Sequence, residues 1–172
     1  MNNKNLLEYS KNIKTQAKNI LDNNKIISTL KKVGEPIIIG SYPLDLMVDP
    51  DIDIVVLTKN PQKSSLKVLN EFIKQRSFQK YEYGDFVKFK RVNRPQGFIV
   101  NLRTEINTIK WEIEIWFLKD VTKELKMLEL LKKNLTVDKK LEVLKLKQKR
   151  NKDGKNKHEM SSLSIYKQIL NI

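Results

Sequence analysis

The stretch IIIGSYPLDLMVDPDIDIVVL, residues 37–57, contains the features that decide the fold. It begins with a short apolar run that ends in a Gly-Ser pair, and it closes with an apolar run that starts among acidic residues. Apolar runs of this length, set off by Gly and Pro residues, predict strands at Pro36–Ile39 and Ile52–Leu57. A carboxylate beside a buried strand is unfavourable unless another group pairs with it. The acids therefore require a partner.

The acids alternate with isoleucines in the second predicted strand. Asp51 and Asp53 are two residues apart, and such side chains project from the same face of a strand. Two like charges at this distance repel each other unless a cation neutralises them, and Mg²⁺ accepts carboxylate oxygens together with phosphate oxygens. The alternative is a pair of solvated acids where the strand begins, or an Asx turn near Pro50. Asp49 is a competing ligand, but it precedes Pro50 and we expect it in that turn.

Two further features favour a metal site over solvated acids. Gly40 permits close approach to the backbone, where N–H groups after a strand bind phosphate, and the hydroxyl of Ser41 adds a donor. The later stretch WEIEIWF, residues 111–117, alternates apolar and acidic residues. Glu114 stands in its middle, where an unpaired charge is unfavourable. A third carboxylate from a neighbouring strand is what a two-metal site needs.

These residues resemble the nucleotidyltransferase superfamily of the polymerase-beta type, and in particular its small stand-alone bacterial members. The resemblance rests on GSYPLDLMV…DIDI within residues 37–57, with a weaker match of EIEIWFL at about 110–118 and of VLKLK…SSLSIYKQIL at about 143–170. It implies a nucleotidyltransferase core with a mixed β-sheet, of the α/β (α+β) class. Two positions depart from the family pattern: Glu114 stands where Asp is usual, and Asp45 stands where a small residue is expected.

The resemblance also implies an activity. A nucleoside monophosphate would pass from a nucleoside triphosphate to a hydroxyl acceptor, with Mg²⁺ or Mn²⁺ in a two-metal mechanism. Asp51, Asp53 and Glu114 would be the catalytic residues and the metal ligands, and Glu114 would also help to position or deprotonate the acceptor. Gly40 and Ser41 would bind the triphosphate.

Further residues are candidates for contacts with the substrates. The resemblance places a helical lysine near the triphosphate, which we identify as Lys147; a solvated helix face is the alternative. Tyr42 follows the Gly-Ser pair and is a candidate for lining the nucleotide pocket. Tyr166 is a candidate for packing the last helix onto the site, and ordinary core packing is the alternative. The candidates for contacting an anionic substrate from the predicted hairpin are Arg91, Arg94 and Arg103.

The rest of the chain predicts a mixed sheet between an N-terminal helix and a C-terminal helical pack. Residues 1–120 form the predicted catalytic core, and residues 121–172 form a helical region packed on it as one structural unit. The predicted elements are a helix over residues 5–33 with a break at Asn23-Asn24, a helix over Ser64–Phe78, a hairpin of residues 86–91 and 98–103, a strand over 110–118, and helices over 120–134, 138–150 and 161–172.

Composition restricts the chemistry further. The chain has 172 residues and no cysteine, which excludes disulfides, zinc–thiolate sites and cysteine nucleophiles. The single histidine, His158, lies in the polar stretch NKDGKNKHE, which predicts a solvated loop. No apolar run has the length of a membrane span, and the N-terminus has no apolar signal core. We therefore expect a cytoplasmic protein without a membrane partner.

The net charge of +14 suggests a polyanionic partner. However, only five of the 34 basic residues are arginine, and the aromatic residues are few and scattered, unlike the stacking platforms of single-strand binders. Nucleoside triphosphate is the expected partner, and a small molecule, a protein side chain and an RNA end remain open as the acceptor. The alternative to an enzyme is a catalytically inactive module of the same fold that binds a nucleotide or nucleic acid. This alternative remains open because Glu114 stands where the family usually has Asp.

Overall fold

The two strands on either side of the Gly-Ser pair lie next to each other in the sheet. β1 spans Glu35–Ile39 and β2 spans Asp51–Leu57. They run antiparallel, with Ile39 paired with Asp53. The end of β1 that leads into the Gly-Ser pair therefore lies beside the acidic start of β2. The fold is seen in a computed structural model that describes residues 3–92, 94–154 and 159–172.

Three further strands complete the sheet. They are β3 (Lys80–Asp85), β4 (Phe98–Ile106) and β5 (Ile109–Leu118). The order across the sheet is β1-β2-β5-β4-β3. β2 and β5 are parallel, whereas the other neighbours are antiparallel, so the predicted mixed sheet is confirmed. β2 and β5 lie in the interior of the sheet, where strands on both sides fix the positions of their side chains.

The predicted hairpin is wrong in its first strand. Residues 86–91 do not form a strand, and β4 pairs with β3 instead. The carboxylate of Asp85 accepts hydrogen bonds from the backbone N–H groups of Val87 and Lys88, and this turn leads the chain away from the sheet. The alternation of residue types after β3 is therefore unrelated to burial, and Phe89 is 66% exposed.

Helices occur where the sequence predicts them, with shifts of up to three residues at their ends. The predicted N-terminal helix divides in two at Lys25, which has a left-handed conformation with φ of 52°. The helix predicted at Ser64–Phe78 begins earlier, at Pro61, because the fixed φ of proline suits the first helical position. The helices are α1 (Asn3–Asn23), α2 (Ile26–Lys31), α3 (Pro61–Gln75), α4 (Thr122–Asn134), α5 (Val137–Lys152) and α6 (Ser162–Leu170).

The apolar residues form a main core on one face of the sheet and a second cluster beside it. In the main core, Ile52 and Ile54 of β2 and the isoleucines of β5 pack with α1, α2 and α3. The second cluster joins α4, α5 and α6 to Leu44, Leu46 and Val48, which lie between β1 and β2. The C-terminal helices thus pack directly on the segment that connects the first two strands.

No helix in the described ranges is long and apolar enough to cross a membrane. His158, and with it most of the predicted solvated loop, lies outside the described residues.

A buried ion network joins α5 to the segment between β1 and β2. Lys147 and Arg150 of α5 are 0% and 1% exposed. Arg150 donates to Oδ2 of Asp49, and the side chain of Asn151 donates to Oδ1 at 2.7 Å. Nζ of Lys147 lies 3.9 Å from Oδ2 of Asp49 and donates to the carbonyl oxygen of Leu46 at 2.9 Å. Asp49 therefore provides negative charge for two buried cations.

Replacing Asp49 with alanine tests this network. We expect Asp49→Ala to lower the free energy of unfolding by about 3–5 kcal/mol, because it leaves buried cations without their carboxylate. Urea unfolding at pH 7 measures the change. The control, Asp22→Ala, removes an exposed ion pair with Lys18 and should leave the unfolding midpoint unchanged. Equal losses in the two variants would contradict the assignment of Asp49 to a buried network.

Candidate active site

The acids that the sequence singles out lie side by side on neighbouring strands. In the parallel pairing of β2 with β5, Asp51 is opposite Glu112 and Asp53 is opposite Glu114. Neighbouring strands are about 4.8 Å apart, and residues in register project from the same face. The four carboxylates thus share the face of the sheet opposite the main core. Of the four, Glu112 is bound by the side chain of Asn101 at 2.7 Å and by Arg103.

Gly40 makes room for one of these carboxylates. Its φ is 70°, a conformation that favours glycine. A Cβ atom built at this position would lie 2.2 Å from Oδ2 of Asp53. The carboxylate therefore packs directly against the glycine backbone, and any side chain at position 40 would displace it.

A cavity of about 780 Å³ opens beside the acids, and we call it the acid cavity. Asp51, Asp53, Gly40 and Ser41 line one part of it. Cavities of this size hold small-molecule ligands. The rest of its lining comes from the end of β1, the chain before β4, the end of β5 and the two residues after it, and helices α4 and α6: Ile39, Arg94, Pro95, Gln96, Leu118, Lys119, Asp120, Lys123, Glu124, Met127, Leu128, Leu131, Ser162, Leu163 and Tyr166.

Ser41 is held by side chains from α5 and α6. It is 6% exposed, and its Oγ accepts a hydrogen bond from Nζ of Lys147 at 2.8 Å and lies 3.0 Å from the hydroxyl of Tyr166. Burial raises the pKa of the Tyr166 phenol, and the charges of Asp53 and Asp51 raise it further, against the opposing hydrogen bond with Ser41. The phenol therefore stays neutral at physiological pH.

Lys147 lies behind the Gly-Ser pair and is not among the residues that line the acid cavity. Its side chain is fully buried. The alternative interpretation from the sequence, that Lys147 lies on a solvated helix face, is therefore wrong. Nζ of Lys147 donates to Ser41 and to the carbonyl oxygen of Leu46 and lies 5.9 Å from the centre of the Tyr166 ring. It therefore contacts two residues that line the cavity, Ser41 and Tyr166.

Tyr42 lies in a different cavity, lined by residues of α1 and α5. Nζ of Lys14 is 5.0 Å from the centre of the Tyr42 ring. Residues 42–44 form a 3-10 turn that Asp45 ends in a left-handed conformation with φ of 59°, which glycine adopts most readily. Burial opposes ionisation of Asp45, but hydrogen bonds from Lys14 and Lys140 outweigh it and lower the pKa of the carboxyl.

Asp49, the competing acid, is 7% exposed and belongs to the buried network with α5. It is not among the residues that line the acid cavity. The structure thus separates Asp49 from the acids that follow Pro50, although they are adjacent in the sequence.

Of the residues that the structure describes, three cations line the acid cavity: Arg94, Lys119 and Lys123. Sequence reasoning considered Arg94 and missed the two lysines. Lys119 directly follows β5, and Lys123 lies in the first turn of α4. Attention to the junction between the acidic strand and the next helix would have found them.

Two of the acids, Asp51 and Asp53, are suited to bind a hard divalent cation, whereas Glu114 is not arranged to join them. Asp51 and Asp53 offer carboxylate oxygens beside Gly40, and Mg²⁺ prefers oxygen ligands. Oε2 of Glu114, however, accepts a hydrogen bond from Arg94 at 3.4 Å. In the part of the chain that the structure describes, no group of three or more His, Cys, Asp or Glu side chains is arranged to hold a metal ion. The two aspartates therefore fit the role of ligands, while Glu114 is paired with an arginine.

Comparison with known proteins gives matches only in structure. No protein-family model and no curated protein matches the chain. The polymerase core of TRAMP, an RNA surveillance complex, is similar with a TM-score of 0.63 and 18% identity, over 92% of this chain and 48% of that chain. The Cid1 poly(U) polymerase is similar with a TM-score of 0.60 and 17% identity, over 97% of this chain and 52% of that chain.

A cytoplasmic RNA terminal U-transferase is similar with a TM-score of 0.51 and 16% identity, over 88% of this chain and 47% of that chain. These similarities confirm the polymerase-beta-like nucleotidyltransferase fold that the sequence resemblance implies. The chain spans about half the length of the solved structures that it matches.

Two glycine substitutions test the packing of Gly40 against Asp53. With Asp53 as the metal ligand that the sequence predicts, Gly40→Ala should weaken Mn²⁺ binding about 10- to 100-fold, the range seen when a group that orients a metal ligand is changed. Isothermal titration calorimetry measures the affinity. Gly154→Ala is the matched control, because Gly154 has a similar φ of 67° but no described atom within 4 Å of a Cβ. Equal effects of the two substitutions would show that backbone strain, not Asp53, is responsible.

Proposed function

We propose that this chain, which has the polymerase-beta-like nucleotidyltransferase fold, transfers a nucleoside monophosphate from a nucleoside triphosphate to a hydroxyl acceptor. One observation carries the proposal: Asp51 and Asp53 line a ligand-sized cavity, with the carboxylate of Asp53 packed against Gly40. A fold supports many activities and does not define one, so the proposal depends on these three residues.

In the proposed reaction, the oxygen of the acceptor hydroxyl attacks the α-phosphorus of the nucleotide. A new P–O ester bond forms as the bond from the α-phosphorus to the oxygen that bridges to the β-phosphate breaks, and pyrophosphate leaves with that electron pair. The hydroxyl proton passes to Glu114 or to water. The chain contributes mainly by holding the reactants in place and by balancing charge.

Asp51, Asp53 and Glu114 are the proposed ligands of Mg²⁺ or Mn²⁺. When bound, divalent ions neutralise phosphate charge and lower the pKa of the attacking hydroxyl. Glu114 joins the aspartates in this proposal by leaving Arg94, with which it pairs at 3.4 Å. Arg94 lines the acid cavity and would exchange this carboxylate for a phosphate of the nucleotide.

The nucleotide would occupy the acid cavity. The backbone N–H groups at Gly40 and Ser41 are proposed to bind the triphosphate with Lys119 and Lys123, and the apolar side chains of α4 and α6 would pack against the sugar and base. Lys147 is proposed as a positioning residue that acts through its hydrogen bond to Ser41. Tyr42 is omitted from this site because it lies in the cavity lined by α1 and α5.

One neighbour in structure supports a nucleotide and a metal ion in this fold, and a second supports nucleotidyl transfer. The Cid1 poly(U) polymerase has Mg and 3'-dATP bound, and another neighbour is an RNA terminal U-transferase. Both chains are about twice the length of the matched region. A small molecule, a protein side chain and an RNA end therefore all remain acceptors within this proposal.

A second candidate is a catalytically inactive module that binds a nucleotide or nucleic acid. The pairing of Glu114 with Arg94 favours it, because a carboxylate held by an arginine does not serve a metal ion. Incubation with labelled ATP, CTP, GTP and UTP plus Mg²⁺ separates the two candidates. Label transfer or pyrophosphate release supports the enzyme, whereas tight nucleotide binding without turnover supports the inactive module.

Removing the two aspartate charges tests the enzyme. We expect Asp51→Asn plus Asp53→Asn to reduce pyrophosphate release by roughly a thousandfold, since the charge that holds the metal ions is lost. A coupled pyrophosphate assay measures it. Glu105→Gln, which removes an exposed acid from β4, should retain full activity. Unchanged activity in the double variant, confirmed to be folded by circular dichroism, would refute the assignment.

A further inference from the structure

A further cavity, which we call the lysine groove, lies where β2 ends and α3 begins. Its volume is about 860 Å³. It lies at the opposite end of β2 from Asp51. Five of the residues that line it are lysines: Lys32, Lys59, Lys63, Lys67 and Lys119.

The lysine groove carries a large excess of positive charge. Glu35 is the single acid among the described residues that line it. Lys32 is 3.8 Å from Glu71, whereas the other four lysines form no ion pair within the described ranges. Lys63 and Lys67 are four residues apart on α3 and so lie on one face of the helix. Exposed lysines without acidic partners produce a field that attracts anions.

The lysine groove and the acid cavity meet at the ends of β2 and β5. Lys119 lines both. The backbone N–H of Thr58, in the groove, donates to the carbonyl oxygen of Leu118, in the acid cavity, at 2.9 Å. The two cavities therefore adjoin at Lys119 and at the paired ends of β2 and β5.

We propose that the lysine groove binds the sugar–phosphate backbone of a single-stranded nucleic acid, whose terminal hydroxyl reaches the acid cavity as the acceptor. Lysines spread over the end of β2 and the first turns of α3 match repeated phosphates better than one phosphate group. In the part of the chain that the structure describes, no aromatic side chain lines the groove, so the proposed contacts are to phosphates and independent of base sequence. The acceptor role rests on the proposed function; binding in the groove does not.

A charge-matched pair of variants tests the binding. The groove variant carries Lys59→Gln, Lys63→Gln and Lys67→Gln; the control variant carries Lys132→Gln, Lys133→Gln and Lys145→Gln, which are exposed lysines outside both cavities. Lys119 is kept because it belongs to the proposed nucleotide site. The probe is a 5'-labelled 15-nucleotide single-stranded RNA, or DNA of the same sequence, without metal or nucleotide. Fluorescence anisotropy gives Kd over a range of salt concentrations.

The groove variant should bind the strand at least about tenfold more weakly. Its slope of log Kd against log salt concentration should fall by about 2, from a contribution of about 0.7 for each lost phosphate contact. The control variant should change Kd less than about twofold. Equal weakening in both variants would overturn the proposal, because bulk charge would then explain the binding. Binding to anionic phosphatidylserine vesicles but not to either strand would also overturn it.

Two further measurements separate the groove from the proposed function. Asp51→Asn plus Asp53→Asn should bind the strand as tightly as the parent while losing transfer. With the strand as acceptor, the groove variant should show a raised KM for the strand and an unchanged KM for the nucleotide. Transfer by the parent to a small molecule but never to a strand end would overturn the acceptor role, even where the groove variant loses binding.

Discussion

Two buried cations on α5 share one carboxylate, and the placement of the candidate active site depends on that pairing. Lys147 and Arg150 are buried, and a buried charge is strongly unfavourable unless it is paired and hydrogen-bonded. Asp49 meets both needs and stands just before β2 begins. Lys147 also binds Ser41, just after β1 ends. Both ends of the connection between the first two strands are thus fixed to α5, which determines where Gly40 and the acids of β2 lie.

The site combines groups of two kinds. The acids are on regular strands in the interior of the sheet, whereas the cations Arg94, Lys119 and Lys123 come from a loop, a strand end and a first helical turn. Strands hold their side chains at fixed spacing, which suits ligands that must meet at one point. The pairing of Glu114 with Arg94 balances the charge of both side chains before any ligand binds. In the proposed function, a phosphate that binds Arg94 would release Glu114, so that the third acid becomes free only when the phosphate arrives.

The sequence predicts the parts of the fold that depend on local patterns. Alternation across buried strands identified β2 and β5 with their acidic faces, and the Gly-Ser pair marked the end of β1. After β3, the alternation of residue types led to a wrong prediction of a strand at residues 86–91. The turn at Asp85 depends on hydrogen bonds from the backbone to its side chain, and these leave no periodic pattern in the sequence. The burial of Lys147 and the position of Tyr42 were not predictable, since both depend on how distant helices pack. Lys119 escaped notice because a single lysine has no periodic pattern.

Because β2 and β5 are neighbours in the sheet but are separated in the chain by α3, β3 and β4, the acids converge through a non-local pairing. Closing so long a chain segment has an entropic cost, and non-local strand pairing is slow compared with hairpin formation. β3, β4 and β5 follow one another and pair as hairpins from local contacts. We therefore expect Asp53 and Glu114 to meet only when β2 docks late in folding, so that partly folded chains have neither the paired acids nor the cavity beside them.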